Sequence, residues 1–242
     1  TVNDIEGFAR AAENVLTIVD AVSGLGACPL RTDEWSVDVV VAGSQKALMT
    51  PPGLGFVSVS EKAMRAHEES RMPRYYFDWT AAKKAYAKTP PQTPWTPPVS
   101  IIIQLDIALQ QILAEGVEEV FQRHVLLGRA SREGIKGMGL KLFGPDEDMN
   151  SAVTAAWVPE GIDGKELVRL MFREHGIQVA GGQGPMEGRI FRIGHCGYFD
   201  SYDIIATIAA AELALESLDY PVELGSGVGA AQRVFSRSGV TA

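Results

Sequence analysis

The sequence predicts an α/β protein: a layer built on a mostly parallel sheet in the first half, followed by a small α+β domain. Three observations predict it. Val15 to Val19 (VLTIV) and Val37 to Ala42 (VDVVVA) are β-branched apolar runs, continuous enough to be strands buried on both faces. Ser100 to Glu115 and Val117 to Lys136 carry helical periodicity and are split by Gly116. Beyond them the pattern changes to short strands alternating with capped helices. The boundary therefore falls at Gly116, giving domains over residues 1–116 and 117–242.

Taken in order, Asn3 to Glu13 reads as the end of a helix, and the first strand after it finishes at Asp20. The loop SGLGACPL and a short polar turn around Asp33 to Trp35 lead into the second strand, which stops just before Ser44-Gln45-Lys46. Gly55 to Ser60 (GFVSVS) is a third strand, and Ser60 is placed to cap a helix over Glu61 to Ser70. From Arg71 the chain becomes aromatic, and five prolines then fall between Pro90 and Pro98. Proline at that density excludes helix and central strand, yet Thr93, Trp95 and Thr96 are not linker residues, so Lys88 to Pro98 is expected to be an ordered excursion toward a partner subunit. In the second domain, strands are expected over Leu140–Phe143, Ala152–Val158, Ile177–Ala180 and Arg189–Ile193. Helices are expected over Asp163–His175, opened by a capping box from Asp163 to Glu166, and over Tyr202–Leu218. The tail from Tyr220 is weakly patterned and is expected to lie against the body or a neighbour.

Charge narrows the function. With 22 basic against 30 acidic residues, a net charge of -8 and no basic cluster, the chain lacks the concentrated Lys/Arg of a nucleic-acid or anionic-membrane surface. No apolar run reaches the ~18 residues of a membrane span. The two cysteines, Cys28 and Cys196, are far apart in sequence, which gives neither a disulfide framework nor a CxxC metal spacing and points to a reducing, cytoplasmic setting. His67, His124, His175 and His195 show no metal spacing, so no metal site is expected. The chain starts at Thr1, partway into a helix, and a further N-terminal segment or a companion chain is expected to complete it.

The stretch Gly43 to Gly55, GSQKALMTPPGLG, holds one charged residue, Lys46, among small, apolar and turn-forming neighbours. That setting suits an amine in a shaped, partly dry pocket, where desolvation favours the neutral nucleophile; a surface lysine in a Pro/Gly loop is the alternative. Ligands of open α/β sheets bind beyond the carboxyl ends of the strands, and both Asp20 and Lys46 lie there. These are parts that a pyridoxal phosphate site requires: a lysine for the Schiff base and an acid for the ring nitrogen. Asp20 as a carboxylate keeps that nitrogen protonated, with an Asp capping the turn after a strand as the alternative. Lys46, once free, serves as proton carrier at the substrate's alpha carbon. Arg192, at a strand end, suits a carboxylate through two parallel hydrogen bonds, against the alternative of a structural ion pair.

VDAVSGLGACPL, WSVDVVVAGSQKALMTPPGLGF and FRIGHCG resemble, in that order, the class V, fold type I aminotransferases, and most nearly the serine/alanine:glyoxylate branch. The resemblance implies that residues 1–116 are the C-terminal portion of a cofactor-binding large domain and 117–242 the small domain. It places Asp20, Gln45 and Lys46 on the pyridine-nitrogen, phosphate and Schiff-base positions, and Arg192 on the substrate-carboxylate arginine. TPWTPPVS is similar to the segment that reaches across the family's homodimer to the partner's cofactor phosphate, with Thr96 the better match and Thr93 standing where some members have tyrosine. The implied activity is transfer of an amino group from serine or alanine to glyoxylate or pyruvate. The phosphate-cradling turn and the ring-stacking aromatic of that fold precede the Asp20 strand and are expected outside this chain.

Two other readings of the same fold stay open: a catalytically silent subunit kept for assembly, and a lyase or cysteine desulfurase. Desulfurases resemble one another in carrying histidine before the lysine and a mobile cysteine loop, whereas Gln45 precedes Lys46 and Cys196 sits in a strand-end motif. His195, near Arg192, fits a substrate-pocket or a structural role. Gly181-Gly182-Gln183-Gly184 reads as a close backbone approach to the substrate mouth or as a plain turn. Gly225 to Ala230 matches GxGxxA but has no room for a following βαβ unit, and a flexible tail is expected there.

Overall fold

The computed structural model describes residues 2–148 and 152–238, so the last four residues of the expected tail lie outside them. It divides into two compact units, one formed by Asn3–Leu25 and Leu30–Ala114, the other by Gly26–Pro29 and the chain from Glu115 onward.

The first unit is built on a three-stranded sheet of order β1-β2-β3, with β1 over Ile18–Asp20, β2 over Val39–Gly43 and β3 over Gly55–Val59. Strand β1 runs parallel to β2, from Ile18 opposite Val39 to Asp20 opposite Val41. Strand β3 returns antiparallel, from Gly43 opposite Gly55 to Val39 opposite Val59. Side chains alternate across such a sheet. Val19 and Val40 turn one way and form a small core with Ala9, Ala21 and Val37, against which Ile5 of α1 (Ile5–Ala11), Leu25, Leu30 and Trp35 pack. The opposite face carries Ile18, 66% exposed, and Val57, 47% exposed. The first strand was expected to be buried on both faces; it is shorter, and only the face that meets α1 and the Trp35 turn is covered.

The amino end of this sheet is locked by Asp38, which is buried. Its carboxylate accepts from the Thr17 backbone N–H at 3.0 Å, the Ser60 hydroxyl at 2.8 Å and the Lys62 ammonium at 3.1 Å. Burial pushes the Asp38 carboxyl up, but those hydrogen bonds and the Lys62 charge outweigh it and hold the group below the usual carboxylate range. Ser60 also caps α2 (Glu61–Glu69), accepting from the Ala63 N–H at 3.0 Å. The aromatic segment holds a helix that its sequence did not announce, α3 (Trp79–Tyr86), capped by Asp78 through the N–H groups of Thr80 and Ala81. The proline-rich excursion is anchored by Trp95, which lies 4.7 Å from Tyr75 and 5.4 Å from Tyr76 between ring centres and donates from Nε1 to the Tyr76 carbonyl at 3.1 Å.

Helix α4 (Val99–Glu115) ends at Gly116, whose φ of +99° only glycine adopts without strain, and α5 (Val117–Gly137) follows. The second unit packs α5, α6 (Gly164–His175) and α7 (Ser201–Glu216) on an antiparallel sheet of order β4-β6-β5, with β4 over Val153–Trp157, β5 over Ala180–Gly181 and β6 over Ile190–Gly194. Leu127, Ile135, Leu167, Met171, Phe191 and Ile208 are fully or almost fully buried in its core. The expected strand over Leu140–Phe143 reduces to a single bridge between Leu142 and Ala156 with flanking hydrogen bonds. The expected capping box of α6 is half formed: Asp163 accepts from the N–H of Lys165 and Glu166, but Glu166 is drawn to Arg169 and does not reach back. The reciprocal box forms instead between Asp200 and Asp203 at the start of α7.

The tail is not weakly structured. It forms α8 (Ser226–Ser238), which packs on α5 and α7. Glu212 of α7, only 3% exposed, accepts from the N–H groups of Gly225 at 2.8 Å, Gly227 at 2.6 Å and Val228 at 3.2 Å. The carboxylate satisfies donors that a helix start leaves open and meets the positive end of its dipole. A Cβ on Gly227 would lie 2.7 Å from the Gly134 carbonyl oxygen, so its bareness allows the crossing with α5. The GxGxxA match is therefore a helix start held by a side chain of its own protein.

Candidate functional site

Strands β1 and β2 are adjacent and parallel, so their carboxyl ends open on one edge of the sheet. Asp20 is the last residue of β1, and Lys46 lies three residues beyond the end of β2 at Gly43. The loop carrying Lys46 is closed at its base by the Gly43–Gly55 pair. Ser44, fully buried, pins it from within: its hydroxyl donates to the Pro51 carbonyl at 2.7 Å, and its carbonyl accepts from the Thr50 hydroxyl at 2.9 Å and the Thr50 N–H at 3.1 Å. Ala47 is buried as well, while Gln45 and Lys46, between these two anchors, are exposed. Met49 holds a φ of +59° and donates its N–H to the Lys46 carbonyl at 3.0 Å, tightening the turn.

The expectation of a partly dry pocket around Lys46 is not met by the described residues. Its neighbours in sequence, Ser44 and Ala47, turn inward, and that leaves Lys46 turned out to solvent at the strand edge. Ser44 was passed over in the sequence because a lone serine after a strand carries no pattern; its role is visible only once the loop closes back on it. Gln45 lies folded against Gly43, its Oε1 2.6 Å from where a Cβ would stand.

Asp20 is exposed and accepts the Val22 N–H at 2.9 Å through Oδ1. The turn-capping role weighed for it is thus present. It also holds the carboxylate in place and engages one of two oxygens, so both roles are compatible. Thr93 donates its hydroxyl to the Trp95 carbonyl at 2.7 Å, and Thr96 is exposed. No described hydrogen bond joins either threonine to Asp20, Gln45 or Lys46.

In the second unit, Arg192 lies at the centre of β6, paired with Ala155 of β4 on one side and Ala180 of β5 on the other. Its Nε donates to the Gly181 carbonyl at 3.0 Å, and among the described residues it forms no ion pair. Arg192 lines a cavity of about 230 Å³ with Arg132, Leu142, Phe143, Val153 and Ile190. His195 is fully buried and shares a 3.0 Å hydrogen bond with the Thr154 hydroxyl. Gly182 belongs to a tight turn, since a Cβ there would fall 1.8 Å from the Met186 carbonyl oxygen. The histidine that sequence reading missed is His124 of α5, fully buried, whose Nδ1 meets the Val120 carbonyl at 2.7 Å and whose Nε2 accepts from the Gly197 N–H at 2.9 Å. Both bonds are made by the neutral ring, and burial holds its pKa below the usual 6.5. Beside it Arg123 donates to the carbonyls of Gly197 and Phe199, so α5 clamps the segment leaving β6.

The first unit thus presents a strand-edge acid and a lysine on a pinned loop, and the second an arginine on its central strand. The chain belongs to the class V aminotransferase family, whose model matches residues 1–189. It is 43% identical to the soluble hydrogenase small subunit of Synechococcus sp., over 97% of this chain and 62% of that protein. It is 40% identical to the serine–glyoxylate aminotransferase of Arabidopsis thaliana, over 95% of this chain and 58% of that one. It superposes on the pyridoxamine–pyruvate aminotransferase of Mesorhizobium loti with a TM-score of 0.91 at 32% identity, covering 98% of this chain and 62% of that one. The fold is thus that of the fold type I aminotransferases, and the chain spans about three fifths of the length of the relatives it matches.

The class V family implies pyridoxal phosphate, and the residues at the β1–β2 edge fit it. A held carboxylate suits the ring nitrogen, a primary amine suits the aldehyde, and the Gln45 amide is a donor for the phosphate.

Proposed function

We propose that this chain carries the lysine, acid and arginine of a pyridoxal phosphate-dependent transaminase that moves the amino group of a small amino acid, serine or alanine, to glyoxylate or pyruvate. The observation that carries the proposal is the emergence of Asp20 and Lys46 from one edge of two adjacent parallel strands. The bound cofactor supplies an aldehyde that takes up the amino group and a ring that accepts the electron pair left at the alpha carbon. Asp20 holds a negative charge at the ring nitrogen and keeps it protonated. Lys46 would hold the cofactor's aldehyde through its amine and would carry the alpha-carbon proton, as base and then as acid. Ser44 fixes the height of Lys46 by tying both ends of its loop. Arg192 binds the substrate carboxylate, and Gln45 and Thr96 hold the phosphate, with Thr93 reaching the partner's site in a homodimer.

The assay is amino transfer from serine or alanine to glyoxylate, with aspartate as a competing donor. Lys46→Ala is expected to abolish transfer, and transfer at the parent rate in that variant would reject the assignment. Arg192→Ala is expected to raise KM and lower kcat/KM by the equivalent of about 2–5 kcal/mol. Sulfide or ammonia release without transfer would favour the desulfurase or lyase reading.

A further inference from the structure

The segment between β6 and α7 is fixed at both ends and gripped in the middle. At one end the His195 N–H donates to the Ala152 carbonyl at 3.1 Å, and at the other Asp200 and Asp203 form the box that opens α7. Between them lie Cys196, Gly197, Tyr198 and Phe199, which carry no formal charge. Gly197 is buried, and α5 holds it in two ways. Arg123 donates to the Gly197 carbonyl at 2.8 Å and the Phe199 carbonyl at 3.1 Å, while it engages Glu115 at 2.6 and 3.0 Å. His124 takes the Gly197 N–H on Nε2 at 2.9 Å.

One ring state makes this arrangement. Nδ1 meets the Val120 carbonyl, which has no proton to give, so the ring proton is on Nδ1 and Nε2 is bare. An imidazolium donates from both nitrogens, and its Nε2–H would meet the Gly197 N–H head-on. Two donors cannot share one fully buried site. The charges that act on the ring are Arg123 on its own helix and Glu115 at the end of α4. Burial, and then Arg123, oppose the second proton, while the Val120 bond and Glu115 favour it, and the balance lies below the usual 6.5.

Gly197 supplies the way out. Its φ is +98°, a conformation that side chains disfavour, and glycine crosses to negative φ at little cost. Turning the Cys196–Gly197 peptide about ψ of Cys196 and φ of Gly197 moves the N–H away from His124 and brings the Cys196 carbonyl toward it. The Gly197 and Phe199 carbonyls stay on Arg123.

We propose that His124 and Gly197 form a proton-operated switch: when a proton from solvent is added to Nε2, the Cys196–Gly197 peptide flips, and the Cys196 carbonyl replaces the Gly197 N–H as the ring's partner. Nδ1–H keeps the Val120 carbonyl throughout, so the ring stays still and the peptide moves. His195 and Asp200 confine the movement to Cys196–Phe199, the loop that presents Tyr198, 81% exposed, at the surface.

The test follows the isotope-labelled 242-residue chain by NMR from neutral pH downward, with the His124 ring nitrogens assigned by their loss in His124→Gln. The proposal expects Nε2 to change from acceptor to N–H below pH 6.5, and the Gly197 amide and Cys196 carbonyl to shift with the same midpoint. Core amides such as that of Ile208 keep their protection from exchange through that range. In His124→Gln, which has no proton to gain, both backbone shifts are lost. Gly197→Ala penalises the positive φ, favours the flipped peptide and moves the His124 midpoint to higher pH. A Gly197 amide that stays in place as Nε2 gains its proton would overturn the switch. Core amides opening at the same pH would do so too, since that is unfolding and not a flip, as would a ring that gains no proton before the core unfolds. In a folded Gly197→Ala, a midpoint unchanged or lowered would contradict the flip; if that variant does not fold, the parent titration decides alone.

Discussion

The two units of this chain bury their sheets to different degrees. In the second unit, Phe191 and Ile193 of β6 face a core closed by α5, α6 and α7, and α8 is sealed onto α5 and α7 by Glu212. In the first, Val19 and Val40 face a smaller core with Ala9, Ala21 and Val37 under Ile5, Leu25, Leu30 and Trp35, while Ile18 and Val57 on the other face of the sheet are exposed. The residues proposed for chemistry divide the same way. Arg192 is set in the middle of a three-stranded antiparallel sheet, whereas Asp20 and Lys46 stand at the open edge of a small mixed one. The difference teaches that a site residue can be held firmly by local hydrogen bonds, as Lys46 is by Ser44 and the Gly43–Gly55 pair, without its surroundings being closed.

The comparison is broken most directly by truncating equivalent sheet residues. Phe191→Ala should cost about 3–5 kcal/mol in urea unfolding, because a fully buried aromatic leaves a cavity among packed helices. Ile18→Ser should change stability by less than ~0.5 kcal/mol, and a loss comparable to that of Phe191→Ala would show the exposed face to be covered. Next in size, Glu212→Ala should cost about 1–3 kcal/mol by leaving the amides at the start of α8 without their acceptor. Hydrogen exchange should locate the loosening in α8, and unchanged exchange there would refute the capping role.

Acid sharpens the contrast further. His124 has a depressed folded-state pKa, so below about 6.5 the unfolded chain binds a proton that the folded one refuses. Its contribution is complete above that pH and is lost as pH falls toward the depressed value. Asp38 in the first unit is depressed below 3.8, and its contribution is present above that value and lost as pH falls through the folded pKa. The second unit should therefore begin to weaken at higher pH than the Asp38 lock. Urea midpoints measured from pH 8 to pH 4 should show a decline that His124→Gln removes. Among the hydrogen-bond deletions the smallest cost expected is that of Ser44→Ala, about 1 kcal/mol, accompanied by a higher exchange rate for the Thr50 amide.

Much of the fold was legible because its signals are local. β-Branched runs marked β1 and β2, Ser60 marked the start of α2, and Gly116 marked the break between α4 and α5 within a residue. The GSQKALMTPPGLG loop was legible as a unit, since its glycines close it and its prolines stop it from becoming helix. What escaped depends on contacts distant in sequence. Helix α8 begins in a glycine-rich stretch that reads as disorder until Glu212, 13 residues back, is seen to hold its first amides. Helix α3 hid in an aromatic run because its cap, Asp78, looks like any loop aspartate. The exposure of Lys46 could not be read from its neighbours' polarity, because inward-turning Ser44 and Ala47 make the loop look apolar while the lysine between them faces out.

The central claim is that Lys46 is the residue that carries the cofactor. Incubating the chain with pyridoxal phosphate, reducing with borohydride and mapping the modified peptide by mass spectrometry tests it without reliance on turnover. The account predicts a phosphopyridoxyl group on Lys46, absent in Lys46→Ala and weakened in Ser44→Ala. Labelling spread evenly over surface lysines such as Lys83 and Lys84, or unchanged by Lys46→Ala, would contradict it.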